Sequence, residues 1–159
     1  MILKSDVNYF LPFKIIQKTR NSERRELKII NQKTISQVEK KKRTIVFVDD
    51  DKVQHMINKR ILKKLNLEVE PFFFDKPYQA IEWLSMNHAD VVLLDINMPE
   101  MDGWKFLNHL EKKGIHVNIK MVTASVDPVD LRRSKEYNQI SGFLIKPLKE
   151  DTYLEFLGD

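Results

Sequence analysis

Four places in the chain hold side chains that together can do phosphate chemistry. Asp49-Asp50-Asp51 follows the apolar run Ile45-Val46-Phe47-Val48, and Asp95 follows Val91-Val92-Leu93-Leu94. Thr123 ends the run from Ile119 to Val122, and Lys146 follows Phe143-Leu144-Ile145. If those runs are strands of one parallel sheet, all four polar signals fall on a single rim, the carboxyl-end rim where open sheets bind ligands. Asp49, Asp50 and Asp95 would then be three carboxylates that repel one another unless a cation intervenes. A hard divalent ion answers that need, and Mg²⁺ is held by one or two carboxylates plus phosphate while keeping several waters. Lys146 adds a fixed positive charge and Thr123 a hydroxyl donor. The set forms a socket for a phosphoryl group on Asp95, since an aspartate can accept one and the transfer is mostly positioning and charge neutralisation.

Each residue alone has a plainer reading. Asp95 before a turn would be a backbone cap, Asp51 a cap for a helix starting near Lys52, and Thr123 a strand-end hydroxyl. Lys146 alone would be a solvated charge, and Phe143, Trp83 and Trp104 packing residues. The four histidines, His55, His88, His109 and His116, show no metal-ligand spacing, and two of them fall in helical patterns able to face solvent. It is the recurrence of polar residues at the ends of four apolar runs that makes the chemical reading specific.

The elements that must position these residues follow from periodicity. Val53, Met56, Ile57, Ile61 and Leu65 recur at helical spacing after the first strand. Leu67 to Phe74 reads as a second strand, and Pro71, which cannot donate to a ladder, places it at a sheet edge. Asp75 is a candidate cap for the next helix, with Pro77 in its first turn and Ala80, Ile81 and Leu84 inward. A turn through Asn97-Met98-Pro99 and Met101-Asp102-Gly103 leads to a helix bearing Phe106, Leu107 and Leu110, stopped by Gly114. A polar helix is expected from about Pro128 to Tyr137, a fifth strand after Gly142, and a last helix from about Lys149 to Leu157. The continuous apolar character of strands one, three, four and five implies burial on both faces. Five alternating strands and helices make an α/β, doubly wound parallel sheet of order 2-1-3-4-5, the flavodoxin-like arrangement.

The 159 residues allow one domain with residues to spare. Residues 1–43 carry 12 Lys/Arg against 4 Asp/Glu, whereas residues 44–159 carry 15 against 19. Such a split predicts a basic N-terminal extension over 1–43, flexible or partly helical, ahead of a mildly acidic domain over 44–159. Leu27, Ile30, Ile35 and Val38 can share one helix face, and the Lys40–Arg43 run reads as a solvated linker rather than a nucleic-acid contact. No apolar run is long enough to span a membrane, and the N-terminus lacks the continuous apolar stretch of a signal peptide. The absence of cysteine excludes disulfides, thiolate zinc sites and cysteine nucleophiles, and fits a cytoplasmic location.

The runs TIVFVDDDKV, VVLLDINMPEMDGW, MVTAS and GFLIKPL resemble the signature blocks of response-regulator receiver domains of two-component signalling, and the chain is similar to the chemotaxis-type single-domain receivers. The blocks stand in the family's order and spacing over about residues 44–157. The resemblance implies Asp95 as phosphoacceptor, Asp49 and Asp50 as the acidic pair serving Mg²⁺, and a metal contact from the Asn97 carbonyl. It also implies that Thr123 and Lys146 contact the phosphoryl group and that the Lys146-Pro147 bond is cis. Phe143 stands where many receivers have the tyrosine that turns inward as the threonine moves, so its response must rest on packing without a hydroxyl.

The expected function is therefore phosphoryl acceptance from a phosphohistidine on a sensor histidine kinase or histidine phosphotransfer protein, followed by a conformational switch. It is a signalling role rather than that of an enzyme. With the chain ending after the last helix, output is expected through a partner protein, the N-terminal extension, or a domain that the given sequence does not include. Two other classes compete: a phosphohydrolase with an aspartate nucleophile at the end of strand one, and a phosphorylation-independent interaction module. The former needs a substrate pocket, for which the domain leaves little room, and the complete acidic set argues against the latter.

Overall fold

The computed structural model describes residues 42–157. Its elements alternate as β1 (Arg43–Val48), α1 (Lys52–Leu65), β2 (Val69–Phe74), α2 (Pro77–Met86), β3 (Val91–Asp95), α3 (Gly103–Lys112), β4 (Ile119–Thr123), α4 (Pro128–Ser134), β5 (Ile140–Ile145) and α5 (Glu150–Leu157). The strands form one sheet in the order β2-β1-β3-β4-β5, with every pairing parallel. This is the doubly wound architecture expected from the alternation of elements. The basic extension falls almost wholly outside the described residues, but its last two residues do not: Lys42 is exposed, and Arg43 opens β1 opposite Val69 instead of ending a linker.

Strand alternation divides the core in two. Ile45 and Phe47 of β1, with Val91 and Leu93 of β3, face one layer, together with Leu62 of α1 and Tyr153 and Leu157 of α5. Val46 and Val48, with Val92 and Leu94, face the other, against Ala80, Ile81 and Leu84 of α2 and Phe106, Leu107 and Leu110 of α3. Each fully buried side chain of this size contributes ~1.5–3 kcal/mol relative to exposure, so strands apolar on both faces are what hold the sheet in the middle. The expectation of two-sided burial holds for β1, β3 and β4 but not for β5. As the second edge strand β5 is only half-covered, and Ile145 is exposed. Gly142 lies inside β5 rather than before it. Pro71 sits on the other edge, opposite Ile45, where its missing N–H leaves no gap in the ladder.

Helix boundaries follow local chemistry. The Asp51 carboxylate accepts from the N–H groups of Val53 at 2.8 Å and Gln54 at 3.4 Å, starting α1. Asp102 caps α3 through Lys105 N–H at 2.7 Å, and Asp127 caps α4 through Val129 N–H at 2.7 Å. Gly114 takes a φ of 65°, and Ile115 N–H closes onto the Leu110 carbonyl at 2.9 Å, ending α3 as expected. Asp75 does not cap α2. Lys76 occupies the cap position without a side-chain bond, and Asp75 instead pairs with Lys52 across 3.2 Å, which holds its carboxyl below the ordinary value.

The periodic residues of α1 are also turned differently from the simplest reading. Val53, Met56 and Ile57 are exposed, while His55, Asn58 and Leu62 form the buried line. Asp51 fixes where the first turn begins, and with it which residues meet the sheet.

Candidate functional site

The four rim positions converge. β1 ends at Val48 and delivers Asp49, whose backbone N–H bonds the Phe74 carbonyl at 3.1 Å, so the edge strand fixes the start of the acidic run. Asp95 is the last residue of β3, and Ile96 N–H continues the ladder to the Val122 carbonyl. At the next junction Lys146 N–H bonds the Thr123 carbonyl at 2.8 Å, locking the ends of β4 and β5 together. The Lys146-Pro147 bond is cis.

Asp49 and Asp95 are buried and Asp50 is exposed, yet oxygen atoms from all three lie within 4.8 Å of one another. The Lys146 ammonium sits between the two buried ones, 2.8 Å from Asp49 Oδ2 and 2.9 Å from Asp95 Oδ2. Asp95 Oδ1 accepts from Asn97 N–H at 3.3 Å, so both oxygens of this carboxylate are held. Burial pushes the Asp95 carboxyl above the ordinary carboxylate value; the Lys146 contact opposes that shift and the Asp49 charge adds to it. Burial also works against the charge on Lys146, but the two carboxylates outweigh it and leave the ammonium above the ordinary lysine value. The result is an ionised, oriented, poorly solvated carboxylate beside a permanent cation.

The donor set suits a hard divalent cation. All three candidates offer carboxylate oxygen, two from the buried floor and one from the solvent-facing side, which leaves room for the waters such an ion retains. Thr123 is buried, and its hydroxyl donates to the Ser125 carbonyl at 2.9 Å, in the loop leading to α4. Phe143 is half-buried against the α2–α3 layer and is paired in register with Met121. Asn97 is exposed beside Asp95, with its backbone N–H already on the carboxylate.

Three features escaped the sequence reading. Gly103 allows α3 to start against the backbone of β3: a Cβ there would lie 2.8 Å from the Asp95 carbonyl oxygen. The glycine was visible, but the contact that requires it spans the sheet edge. Trp104 is buried as expected of a packing residue, yet its indole N–H donates to Asp130 at 3.2 Å and its ring lies 4.6 Å from the Arg133 guanidinium. His55 is buried rather than solvent-facing, and burial lowers its pKa against the pull of Asp49.

The model of the response regulator receiver domain matches residues 45–157. Among curated proteins, the cyclic di-GMP phosphodiesterase response regulator RpfG of Xanthomonas campestris is 27% identical over 106 residues, covering 66% of this chain and 28% of the relative. The sensor histidine kinase RcsC of Escherichia coli is 31% identical over 115 residues, covering 71% of this chain and 12% of the relative. The chain thus spans less than a third of the length of either. Among solved structures, a CheY-like response regulator receiver domain protein of Methanospirillum hungatei aligns with a TM-score of 0.60 and 26% identity, over 72% of this chain and 94% of the other. Chemotaxis protein CheY4 of Vibrio cholerae aligns with a TM-score of 0.64 at 23% identity, over 74% and 97% of the two chains, a likeness of fold. The matched segment carries Asp49, Asp50, Asp95, Thr123 and Lys146 together, and the chain belongs to the response-regulator receiver domain family.

Proposed function

We propose that Asp95 is the phosphoacceptor of this receiver, taking its phosphoryl group from a phosphohistidine on a sensor histidine kinase or histidine phosphotransfer protein. The observation that carries the reading is the buried Asp95 carboxylate at the end of β3, held 2.9 Å from Lys146 in a cluster with Asp49 and Asp50. An oxygen of Asp95 attacks phosphorus and the phosphorus–nitrogen bond breaks. The electron pair stays on the imidazole, which takes a proton from solvent, and Asp95 becomes an acyl phosphate. Lys146 exchanges a carboxylate for a phosphoryl oxygen and so balances the charge that arrives. Asp49, Asp50, Asp95 and the Asn97 carbonyl would hold Mg²⁺, which when bound neutralises charge between carboxylates and phosphoryl oxygens.

Thr123 is the first relay. Its hydroxyl must leave the Ser125 carbonyl to reach a phosphoryl oxygen, freeing the loop before α4. Phe143 then repacks, shifting the population of the α4–β5–α5 face toward a form that an output partner binds. The basic segment ahead of β1 serves as a tether to the receiver, which Arg43 opens. Neither membrane nor nucleic acid is part of this reading, and the location is cytoplasmic; among the described residues no helix is long and apolar enough to cross a membrane.

Signalling, and not turnover of other phosphate compounds, is the proposed role. Some relatives are named as phosphodiesterases, and because this chain matches 28% of one and 14% of another their activity is not carried over to it. Incubation with acetyl phosphate and Mg²⁺ followed by intact-mass measurement tests the proposal. One phosphoryl adduct that needs Mg²⁺ and is absent in Asp95→Asn is expected. Rapid hydrolysis of p-nitrophenyl phosphate without an adduct would favour a phosphohydrolase, and no reaction at all a phosphorylation-independent module.

A further inference from the structure

Asn58 stands on α1 where an apolar side chain would complete the core. It is 4% exposed, and its Oδ1 has no hydrogen-bond partner among the described residues. A buried carbonyl left this way costs ~1–3 kcal/mol. Its surroundings explain why an amide is useful there. Asn58 and Gln54, one helical turn apart, line the same small cavity as Asp49, Asp95 and Lys146. With about 10 Å³ for the centre of a water, the cavity has room for a single molecule. The Lys146 ammonium has three N–H donors. Two are used by Asp49 Oδ2 and Asp95 Oδ2, leaving one.

We propose that Asn58 is a positioning residue of the phosphoacceptor site, its Oδ1 accepting from one water that in turn accepts the third N–H of Lys146. The amide oxygen is thereby satisfied, and the ammonium is held by three acceptors instead of two. Held this way, Lys146 keeps its place when one carboxylate contact is replaced by a phosphoryl oxygen. This deepens the reading of Asp95 and Lys146 above and rests on it.

The test compares the full chain with Asn58→Leu and Asn58→Thr. Leucine shares the branched outline of asparagine and is at home among apolar neighbours, so Asn58→Leu should stay folded and melt near the wild-type temperature. Its Mg²⁺-dependent phosphorylation by acetyl phosphate should nonetheless slow about tenfold, the loss expected for one hydrogen bond serving a charged group. Threonine keeps an oxygen acceptor and should restore most of the rate. A readout independent of any variant's folding is the Lys146 ammonium signal in ¹H–¹⁵N spectra of the wild type. Slowly exchanging protons that show a cross-relaxation contact to a bound water support the bridge, and fast exchange with no such contact overturns it. A wild-type rate in Asn58→Leu, or a threonine variant as slow as the leucine one, also overturns it. If the wild type accepts no phosphoryl group, the reading of Asp95 fails instead, and the ammonium spectrum still decides the role of Asn58.

Discussion

Burial separates three carboxylates whose charges would otherwise be alike. Asp49 and Asp95 share the Lys146 ammonium in the interior, whereas Asp50 faces solvent within ligand distance of both. Asp50 is the carboxylate least committed to Lys146, so Asp50→Ala should weaken Mg²⁺ binding on the order of tenfold and slow phosphorylation, as followed by Mg²⁺ titration. Unchanged affinity would show that the ligand set is wrong. Asp95 carries a different cost. Its carboxyl is held above the ordinary value by burial, so protonation is easier in the folded chain than in the unfolded one and favours the fold. The ionised form at neutral pH is therefore a stability penalty. Without Mg²⁺, Asp95→Asn should melt higher than wild type, by roughly 4 °C for each kcal/mol relieved, with the difference shrinking as pH falls through the acidic range. A lower melting temperature at neutral pH would mean that the Lys146 contact outweighs burial. At this scale the sequence was most legible: Asp49, Asp95, Thr123 and Lys146 each end an apolar run, and strand ends share a rim by topology. Asn58 was not legible, because nothing in the periodicity distinguishes an amide lining a site from one facing solvent.

Among the elements, α4 is the one least tied to the core. It buries none of its own side chains, and its attachment runs through Trp104, by the Asp130 hydrogen bond and the Arg133 stacking. Tyr137, just beyond it, reaches Asn108 of α3 at 2.9 Å. Thr123 holds the loop before the helix through Ser125, so a few polar attachments, and no buried side chain of its own, hold α4 in place. Trp104→Phe keeps the ring but removes the indole donor, and should speed amide exchange across 128–134 several-fold without abolishing phosphorylation of Asp95. Phe143→Ala should likewise leave the adduct intact while weakening binding of the output partner. Exchange over residues 123–147 that is identical with and without a phosphoryl mimic would mean that this face does not carry the signal. The sequence placed every strand and helix of the described part, since apolar runs and helical periodicity are local signals. It misplaced the cap of α2, and it did not show that the polar His55 and Asn58 lie on the buried line of α1. Both depend on contacts made elsewhere: α1 packs against the sheet layer that Phe47 and Tyr153 share, and Lys52 draws Asp75 away from α2.

For the whole molecule, every rim residue lies between Asp49 and Lys146, and the family match begins at residue 45. Deleting residues 1–40 should therefore leave Mg²⁺-dependent phosphorylation within a few-fold of the full chain, measured by intact mass over time. Loss of the folded state in that deletion would mean that the basic segment is part of the domain. The division into two regions rests on composition, since the charge balance reverses near residue 43. The central claim concerns one atom group, the Asp95 carboxylate, and its product is an acyl phosphate that borohydride reduces to homoserine. After acetyl phosphate, Mg²⁺ and borohydride, peptide mapping should find homoserine at position 95 and aspartate retained at 49 and 50. Homoserine at either of those positions, or at none, would contradict the account.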